Sequence, residues 1–289
     1  MTISSIPKLF QPIRVGTANL QHRVVMAPMA RFRADAQHVH GPLALEYHKQ
    51  RTSVPGTLAI TEGTIIAARA GGHRNVPGIW SDEQISGWLK VRRSVTSVPS
   101  TVKFLLTYHF PSLSLFTHFP PPLWQIVDAV HKNGSFIFLQ LQALGRTASP
   151  DVLHEEGGYP LVAPSPIPIP LPPTKSKNNA LSHPSSSLPV PRALTVEEIE
   201  EYVQLYATAA RNAVLGAGFD GVEIHAANGY LPDQFLQSNS NQRSDFYGGS
   251  VQNRLRFVLE VTEAITKSVG ANRVGIRLSP WTTYQGEYV

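Results

Sequence analysis

Five short apolar segments, spread along the 289-residue chain, constrain its fold more than any other feature. They occupy residues 24–29, 57–61, 135–141, 221–224 and 273–278. Apolar runs of this length are typical of strands that are buried on both faces, as strands of parallel sheets are. Patterns with helical spacing lie between them, over residues 43–50, 81–88, 195–209 and 253–269. The alternation predicts one α/β domain with a parallel sheet.

The serial order of strands and helices favours one α/β architecture. Five strand–helix units in series predict a (β/α)₈ TIM barrel that is incomplete, with about five of its eight units present. A doubly wound sheet is the alternative, but the first strand is not followed by a Gly-rich dinucleotide-binding fingerprint. We expect residues 1–289 to form a single domain.

The composition excludes several classes of site. The chain has no cysteine, which excludes disulfides, thiolate metal ligands and cysteine nucleophiles, and we expect no metal site. Its 25 Lys and Arg residues are scattered apart from Arg92-Arg93, so we expect no nucleic-acid partner. The first residues lack the apolar core of a signal peptide, which makes a cytoplasmic location the default expectation.

Residues 91–125 interrupt a helical pattern with a stretch that has no periodicity and is rich in Ser, Leu, Phe and Pro. Its prolines argue against a membrane span, because a spanning helix needs about 20 largely uninterrupted apolar residues. If the segment is removed, the helix resumes with one apolar face, formed by Ile85, Trp88, Ile126, Val127 and Val130. Its first residues could be encoded by a splice donor and its last by a pyrimidine-rich tract. We interpret it as a retained intron read in frame, with a genuine loop insertion as the alternative.

Residues 160–192 form a second unusual segment, a loop rich in Pro, Ser and Asn. It contains the run PSPIPIPLPP and is predicted to be extended. The two unusual segments explain why only 16% of the residues are charged, against about 25% in an average protein.

The residues that could carry chemistry are concentrated after the fourth apolar segment. His225 ends that strand, and Asn228 and Tyr230 follow directly. A single His at a strand end is more often structural, but two hydrogen-bond donors and a phenol together at the carboxyl end of a buried strand indicate a catalytic site.

Motifs at several strand ends together resemble one known family in their order and spacing. They are residues 27–31 (APMAR), 60–63 (ITEG), 138–141 (FLQL), 221–230 (GVEIHAANGY), 244–254 (SDFYGGSVQNR) and 274–280 (VGIRLSP). They resemble the old yellow enzyme family of FMN-dependent NAD(P)H:flavin oxidoreductases and ene-reductases. Within it, the chain is most similar to the fungal branch that acts in ergot-alkaloid-type pathways.

The resemblance implies a cofactor, FMN, and a reductant, NADH or NADPH. Gln140 would bond the pyrimidine edge of the flavin, and Arg277 would stabilise charge on the reduced ring. The full set of expected cofactor contacts is Pro28, Met29, Ala30, Gly63, Gln140, His225 and Arg277.

The resemblance also implies a small-molecule substrate, an enal or enone. His225 and Asn228 would hold its carbonyl oxygen, where charge develops when hydride reaches the β carbon. Tyr230 would then be the general acid that protonates the α carbon.

Three departures from the family pattern bear on activity. Ala30 stands where the family usually has Thr or Cys, and Gln142 stands where it usually has Trp. The family also continues through three more strand–helix units, which hold the FMN phosphate. We therefore expect the polypeptide as written to be impaired or inactive. A non-catalytic remnant of a damaged gene is the alternative to an active enzyme, and a flavin-free barrel enzyme is a third, less favoured reading.

Overall fold

The structure, a computed structural model, describes residues 6–89, 125–170 and 188–287. The predicted intron-derived segment 91–125 lies outside the described residues except for Gln125, and so does the middle of the Pro-rich loop 160–192, from 171 to 187. The described ends of that loop carry two short strands, Val162–Ala163 (β7) and Arg192–Ala193 (β8), which pair in parallel.

A parallel sheet forms the centre of the fold. Its main strands are Val25–Met26 (β3), Leu58–Ile60 (β4), Phe136–Gln142 (β6), Gly221–Ala226 (β9) and Val274–Leu278 (β10). They pair in the order β3-β4-β6-β9-β10, and Thr64–Ile65 (β5) also pairs with β6. An antiparallel hairpin, Ile13–Val15 (β1) with Ala18–Leu20 (β2), precedes them.

The strand order decides between the two predicted architectures. Each main strand lies beside the one that precedes it along the chain, and every pairing in the sheet is parallel. A doubly wound sheet reverses direction at a switch point, whereas a barrel adds its strands in sequence. The sheet is therefore part of a barrel, and each of the five predicted apolar segments contributes a strand to it.

Seven α-helices are present in the described ranges. They are Pro42–Arg51 (α1), Asp82–Trp88 (α2), Ile126–Lys132 (α3), Pro150–Glu155 (α4), Val196–Arg211 (α5), Leu231–Leu236 (α6) and Val251–Val269 (α7). Short 3₁₀ turns occupy Lys8–Phe10, Ala68–Ala70, Gly145–Thr147, Ala271–Arg273 and Tyr284–Gly286, and a π-helical turn, Asn212–Ala217, follows α5.

Capping side chains fix where the longer helices begin. Ser81 and Thr195 each form a reciprocal capping box with the residue three positions later, at the start of α2 and α5. Helix α7 begins two residues before the predicted Asn253, because the Ser250 hydroxyl accepts a hydrogen bond from the Asn253 N–H and so acts as the N-cap.

Helices α2 and α3 lie on either side of residues 91–125. Helix α2 ends at Trp88, and the backbone of Leu89 is no longer helical. The side chains predicted to share a face all contribute to one core, with Ile85 partly buried and four fully buried: Trp88, Ile126, Val127 and Val130. All five side chains therefore belong to the main core, and the common helix face stays a prediction.

The two faces of the sheet have different characters. Along β9, Val222, Ile224 and Ala226 are fully buried in the main core, while Glu223 and His225 point to the opposite face. The last strand is less covered, since Ile276 is 42% and Leu278 is 55% exposed. None of the helices in the described ranges combines the length and apolar character that a bilayer span requires.

Candidate active site

A cavity of about 490 Å³ opens where the carboxyl ends of the parallel strands meet. It is lined by Pro28, Ala30, Gly63, Gln140, Gln142, His225, Asn228, Tyr230 and Tyr284. Five separate strands or the loops after them contribute these residues. Barrels place their active sites at this end of the sheet, because the loops there converge on one region.

Glu223 joins three neighbouring strands beneath the cavity. Its Oε1 accepts hydrogen bonds from Gln140 Nε2 at 2.7 Å and from Arg277 Nε at 2.8 Å. Its Oε2 lies 3.3 Å from Arg277 Nη2, so the guanidinium and the carboxylate form a two-point ion pair. An acidic side chain that is only 8% exposed needs such partners, since an unpaired buried charge is costly.

His225 is buried beside Arg277, with which it is in register across β9 and β10. Burial, and then the charge of Arg277, lower the pKa of His225 to about 4. The imidazole is therefore neutral at physiological pH and carries one N–H donor. Its Nδ1 atom is buried and has no hydrogen-bond partner in the described part of the chain. Such an atom is available to a ligand in the cavity.

Asn228 is held in an uncommon backbone conformation by its neighbours. Its φ is 58°, in the left-handed region that Asn tolerates better than most residues. Its N–H donates to Ser279 Oγ at 2.7 Å, across to the end of β10. The next N–H, of Gly229, donates to Asp233 Oδ2 at 2.8 Å. Two side chains thus fix the turn that carries Asn228.

Tyr230 lies beside His225, with ring centroids 4.8 Å apart. Burial, and then the neighbouring Tyr284, raise the pKa of Tyr230, while hydrogen bonds with Gln142 and Gln285 act in the opposite direction. The phenol therefore keeps its proton at neutral pH. It is a hydrogen-bond donor and a potential acid at the edge of the cavity.

Glu62 holds the chain segment that brings Pro28 and Ala30 to the cavity. Its Oε2 accepts a hydrogen bond from the Arg31 N–H at 2.7 Å. Burial raises the pKa of Glu62 to about 7, although hydrogen bonds from the backbone of Arg31 and Phe32 oppose this shift. Glu62 thus positions the segment that carries Pro28 and Ala30.

Comparison with known proteins places this arrangement in a family. The model of the "NADH:flavin oxidoreductase / NADH oxidase family" matches residues 8–108 and 121–288. The chain belongs to this family. The family binds FMN and takes electrons from NADH or NADPH, as the sequence motifs predicted.

Individual relatives cover nearly all of this chain. It is 47% identical to chanoclavine-I aldehyde reductase fgaOx3 of Penicillium roqueforti over 96% of its residues and 62% of that protein. It is 44% identical to the "probable inactive reductase easA" of Epichloe festucae var. lolii, over 98% of this chain and 61% of that protein. The chain therefore spans about three fifths of the length of these curated relatives.

Two solved structures also match nearly the whole of this chain. The old yellow enzyme from Pichia sp. AKU4542 superposes with a TM-score of 0.78 at 37% identity, over 97% of this chain and 61% of that one. The old yellow enzyme homologue from Zymomonas mobilis gives a TM-score of 0.76, also at 37% identity. These neighbours are in agreement with a barrel fold.

The chemistry of the cavity fits the ring of FMN. A flavin ring is flat, with polar atoms along one edge. Gln140 supplies an amide to the cavity, and Gly63 lines it with its backbone, packed so closely on the Gln142 side chain that a Cβ atom there would clash. The unpartnered Nδ1 of His225 shows that the donor set is not satisfied by the described protein residues alone. Of the expected cofactor contacts, the residues present would hold the ring through Gln140, Gly63, Ala30 and Pro28.

The structure brings together most of the residues singled out in the sequence. His225, Asn228 and Tyr230 line one cavity together with four expected cofactor contacts: Pro28, Ala30, Gly63 and Gln140. Two other expected contacts are placed differently. Met29 is 47% exposed and is not among the lining residues, and Arg277 lies beside the cavity, bound to Glu223.

Sequence reasoning missed three residues that shape the site. Glu223 could have been found, because an acidic residue between Val222 and Ile224 in a buried strand requires a partner. Tyr284 and Glu62 carry no comparable signal, since the contacts that matter arise only when distant loops meet.

Proposed function

We propose that this chain is the catalytic part of an FMN-dependent oxidoreductase of old yellow enzyme type. It would reduce the activated C=C bond of an α,β-unsaturated aldehyde or ketone with NADH or NADPH, in the cytoplasm. The observation that carries the proposal is the meeting of neutral His225, Asn228 and protonated Tyr230 in one cavity above Gln140. The similarity to chanoclavine-I aldehyde reductase fgaOx3 supports an aldehyde substrate in secondary metabolism, of the ergot-alkaloid type.

The residues divide the reaction between them. FMN, when bound, supplies hydride for the β carbon of the substrate. His225 and Asn228 would donate hydrogen bonds to the carbonyl oxygen, where negative charge accumulates, and the loss of one such donor typically costs about 3 kcal/mol of transition-state stabilisation. Tyr230 would deliver its proton to the α carbon as general acid.

The neutral state of His225 matters for its role as a donor to the carbonyl oxygen. A neutral imidazole donates a hydrogen bond without adding a second full charge beside the Arg277 guanidinium. Since the pKa of His225 is lowered to about 4, this state persists over the whole physiological range. His225 can therefore donate to the carbonyl oxygen without exchanging a proton with solvent during turnover.

We further propose that the sheet represents five of the eight units of a TIM barrel and that residues 91–125 derive from a retained intron. The sequential parallel order of the strands supports the first point. The shared core of α2 and α3 supports the second, because both helices bury their predicted faces together. Sequencing the mature transcript tests the intron: a message that retains residues 91–125 would show that the segment is a genuine insertion.

A second candidate is that the 289-residue chain on its own is impaired, as a non-catalytic remnant would be. The supporting observation is the apolar surface along the last strand and helix, where Ile276, Leu278 and Leu259 are 42%, 55% and 60% exposed. An uncovered strand edge of this kind favours association or misfolding over a rigid site.

One experiment tests both the proposed reaction and the impaired state of the chain alone. The chain is expressed alone and as a fusion to the part of fgaOx3 that it does not cover, and bound flavin and NADPH oxidation with an enal are measured for both. We expect stoichiometric FMN and turnover in the fusion and a large deficit in the chain alone. A fusion that binds FMN but does not reduce the enal would refute the proposed reaction, and full turnover by the chain alone would refute the impaired state.

A further inference from the structure

Residues 281–287 follow β10 and bring Tyr284 into the lining of the cavity. Tyr284 is one of the lining residues, together with Asn228 and Tyr230. The residue is 60% exposed, so its side chain is accessible to a ligand. The same segment packs closely on Gly229, where a Cβ atom would lie 2.9 Å from Gln285 Cβ. We call residues 281–287 the strap.

A buried ion pair holds the end of the strap. Arg146 Nη2 lies 2.8 Å from Glu287 Oε1, and the two side chains are 1% and 0% exposed. The second carboxylate oxygen of Glu287 accepts a hydrogen bond from Ser240 Oγ at 2.8 Å. Removing one member of such a pair leaves an uncompensated buried charge, so the pair locks the strap only while both members are present.

Arg146 also connects the strap to two other loops. It belongs to the 3₁₀ turn after β6, and its Nη1 lies 3.4 Å from the carbonyl oxygens of Ile167 and Pro168, in the described part of the Pro-rich loop. Its Nη2 donates to the Gln285 carbonyl at 3.2 Å. Further along, Asn239 Nδ2 donates to the Gly286 carbonyl at 2.6 Å. The guanidinium thus fixes the strap relative to the walls of the cavity.

We infer that Tyr284 is a specificity-determining residue that contacts the part of the substrate beyond the reacting C=C bond, and that the Arg146–Glu287 pair positions it. The inference rests on the proposed function for the identity of the substrate. An exposed aromatic ring at the mouth favours a flat, apolar or aromatic group on the β-carbon side of an enal or enone, because rings stack or pack edge to face at 4.5–7 Å. A short aliphatic enone would not reach it.

The test uses two matched probes, benzalacetone and 3-penten-2-one, which share the enone and differ in carrying phenyl or methyl. Dissociation constants are measured by ligand-observed NMR on the fusion to the remainder of fgaOx3, loaded with FMN and without reductant. We expect Tyr284→Ala to weaken benzalacetone binding about fivefold and leave 3-penten-2-one unchanged, with Tyr284→Phe close to the parent. Equal effects on both probes, no effect on benzalacetone, or no binding of benzalacetone to the parent would overturn the role of Tyr284.

The positioning role of the ion pair has its own readout. Hydrogen exchange at the amides of residues 281–287 is measured for the parent, Glu287→Ala and the milder Glu287→Gln, with Glu263→Ala on the exposed face of α7 as control. We expect exchange to rise at least tenfold in Glu287→Ala and less in Glu287→Gln, with the control unchanged. Parent-like exchange in Glu287→Ala would overturn the positioning role.

These measurements do not depend on turnover. If the strap exchanges as expected and the probes are discriminated, but neither the FMN-loaded fusion nor its variants reduce either enone, the proposed reaction fails and the inference stands. If the enzyme turns over and Tyr284→Ala raises KM equally for both enones, the inference fails and the proposed reaction stands.

Discussion

The imidazole of His225 lies edge-on to the phenol ring of Tyr230, with centroids 4.8 Å apart and ring planes inclined by 69°. The strand β9 carries the first residue, and the turn before α6 carries the second. A neutral donor and a protonated phenol therefore face the same small volume from adjacent positions. This spacing suits a substrate in which the carbonyl oxygen and the α carbon are both bonded to the carbonyl carbon.

The loss of the Tyr230 hydroxyl should affect only the second half of the reaction. We expect Tyr230→Phe to lower enal reduction by about 10²–10⁴-fold, the usual contribution of a general acid, with flavin reduction by NADPH unchanged. Rapid-mixing measurements of the two half-reactions in the fusion protein separate these effects. Tyr206→Phe, which removes a hydroxyl from the core outside the cavity, is the control, and a comparable loss there would argue against a specific role of Tyr230.

Two substitutions of Asn228 separate its chemical role from its backbone role. Both Asn228→Gly and Asn228→Ala remove the side-chain donor, so each should lower kcat/KM for the enal by about 10²–10³-fold. Only Ala is strained at a φ of 58°, at a cost of about 1–2 kcal/mol in the free energy of unfolding. Urea unfolding of both variants checks the difference. Equal stability together with unequal kcat/KM would contradict the separate chemical and backbone roles of Asn228.

The substitution Glu223→Gln should destabilise the fold, because it leaves the Arg277 guanidinium without its carboxylate partner. We expect a loss of about 1–3 kcal/mol in the free energy of unfolding. The matched control is Glu263→Gln, which breaks an exposed ion pair with Lys267 and should change stability by less than about 1 kcal/mol. Equal losses in the two variants would show that the Glu223 network contributes no more than a surface pair.

Acid sensitivity should depend on His40, which is 3% exposed and packs edge-on against Trp88. Burial, and then the neighbouring His48, lower the pKa of His40 to about 3. Between pH 7 and pH 5 the unfolded chain therefore takes up a proton that the folded chain does not, and stability falls as the pH falls. One histidine with an unfolded pKa of 6.5 costs about 2 kcal/mol over this window.

The variant His40→Phe should remove about that much of the pH dependence, measured as unfolding free energies at pH 7 and pH 5. His48 acts in the same direction, since its pKa is lowered to about 4, and it is present in both proteins. Glu62, with its Oε1 3.8 Å from His40 Nε2, acts in the opposite direction because its pKa is raised to about 7. The same loss of stability in parent and variant would exclude His40 as a source.

The sequence was sufficient to place the strands and to predict that His225, Asn228 and Tyr230 lie together. Three of the five main strands, β4, β6 and β9, are buried as hydropathy predicts, whereas β3 and β10 are apolar runs that are partly exposed. His225, Asn228 and Tyr230 are close in sequence. It was less informative where partners come from distant loops. The hydrogen bond of Glu62 to Arg31 spans 31 positions, and the pair Arg146–Glu287 spans 141. No local pattern encodes such contacts, which depend on the packing of the whole rim.

The carboxylate of Glu223 has a consequence for redesign of the site. It is bonded from the strands on both sides, so the register of the sheet sets the floor of the cavity, while Ala30, Gln142 and Tyr284 belong to the strand ends and loops around it. The two layers can therefore change independently. Libraries directed at the rim should yield new substrate ranges while the floor of the cavity stays unchanged. Related proteins could likewise diverge in substrate without altering Glu223 and its partners.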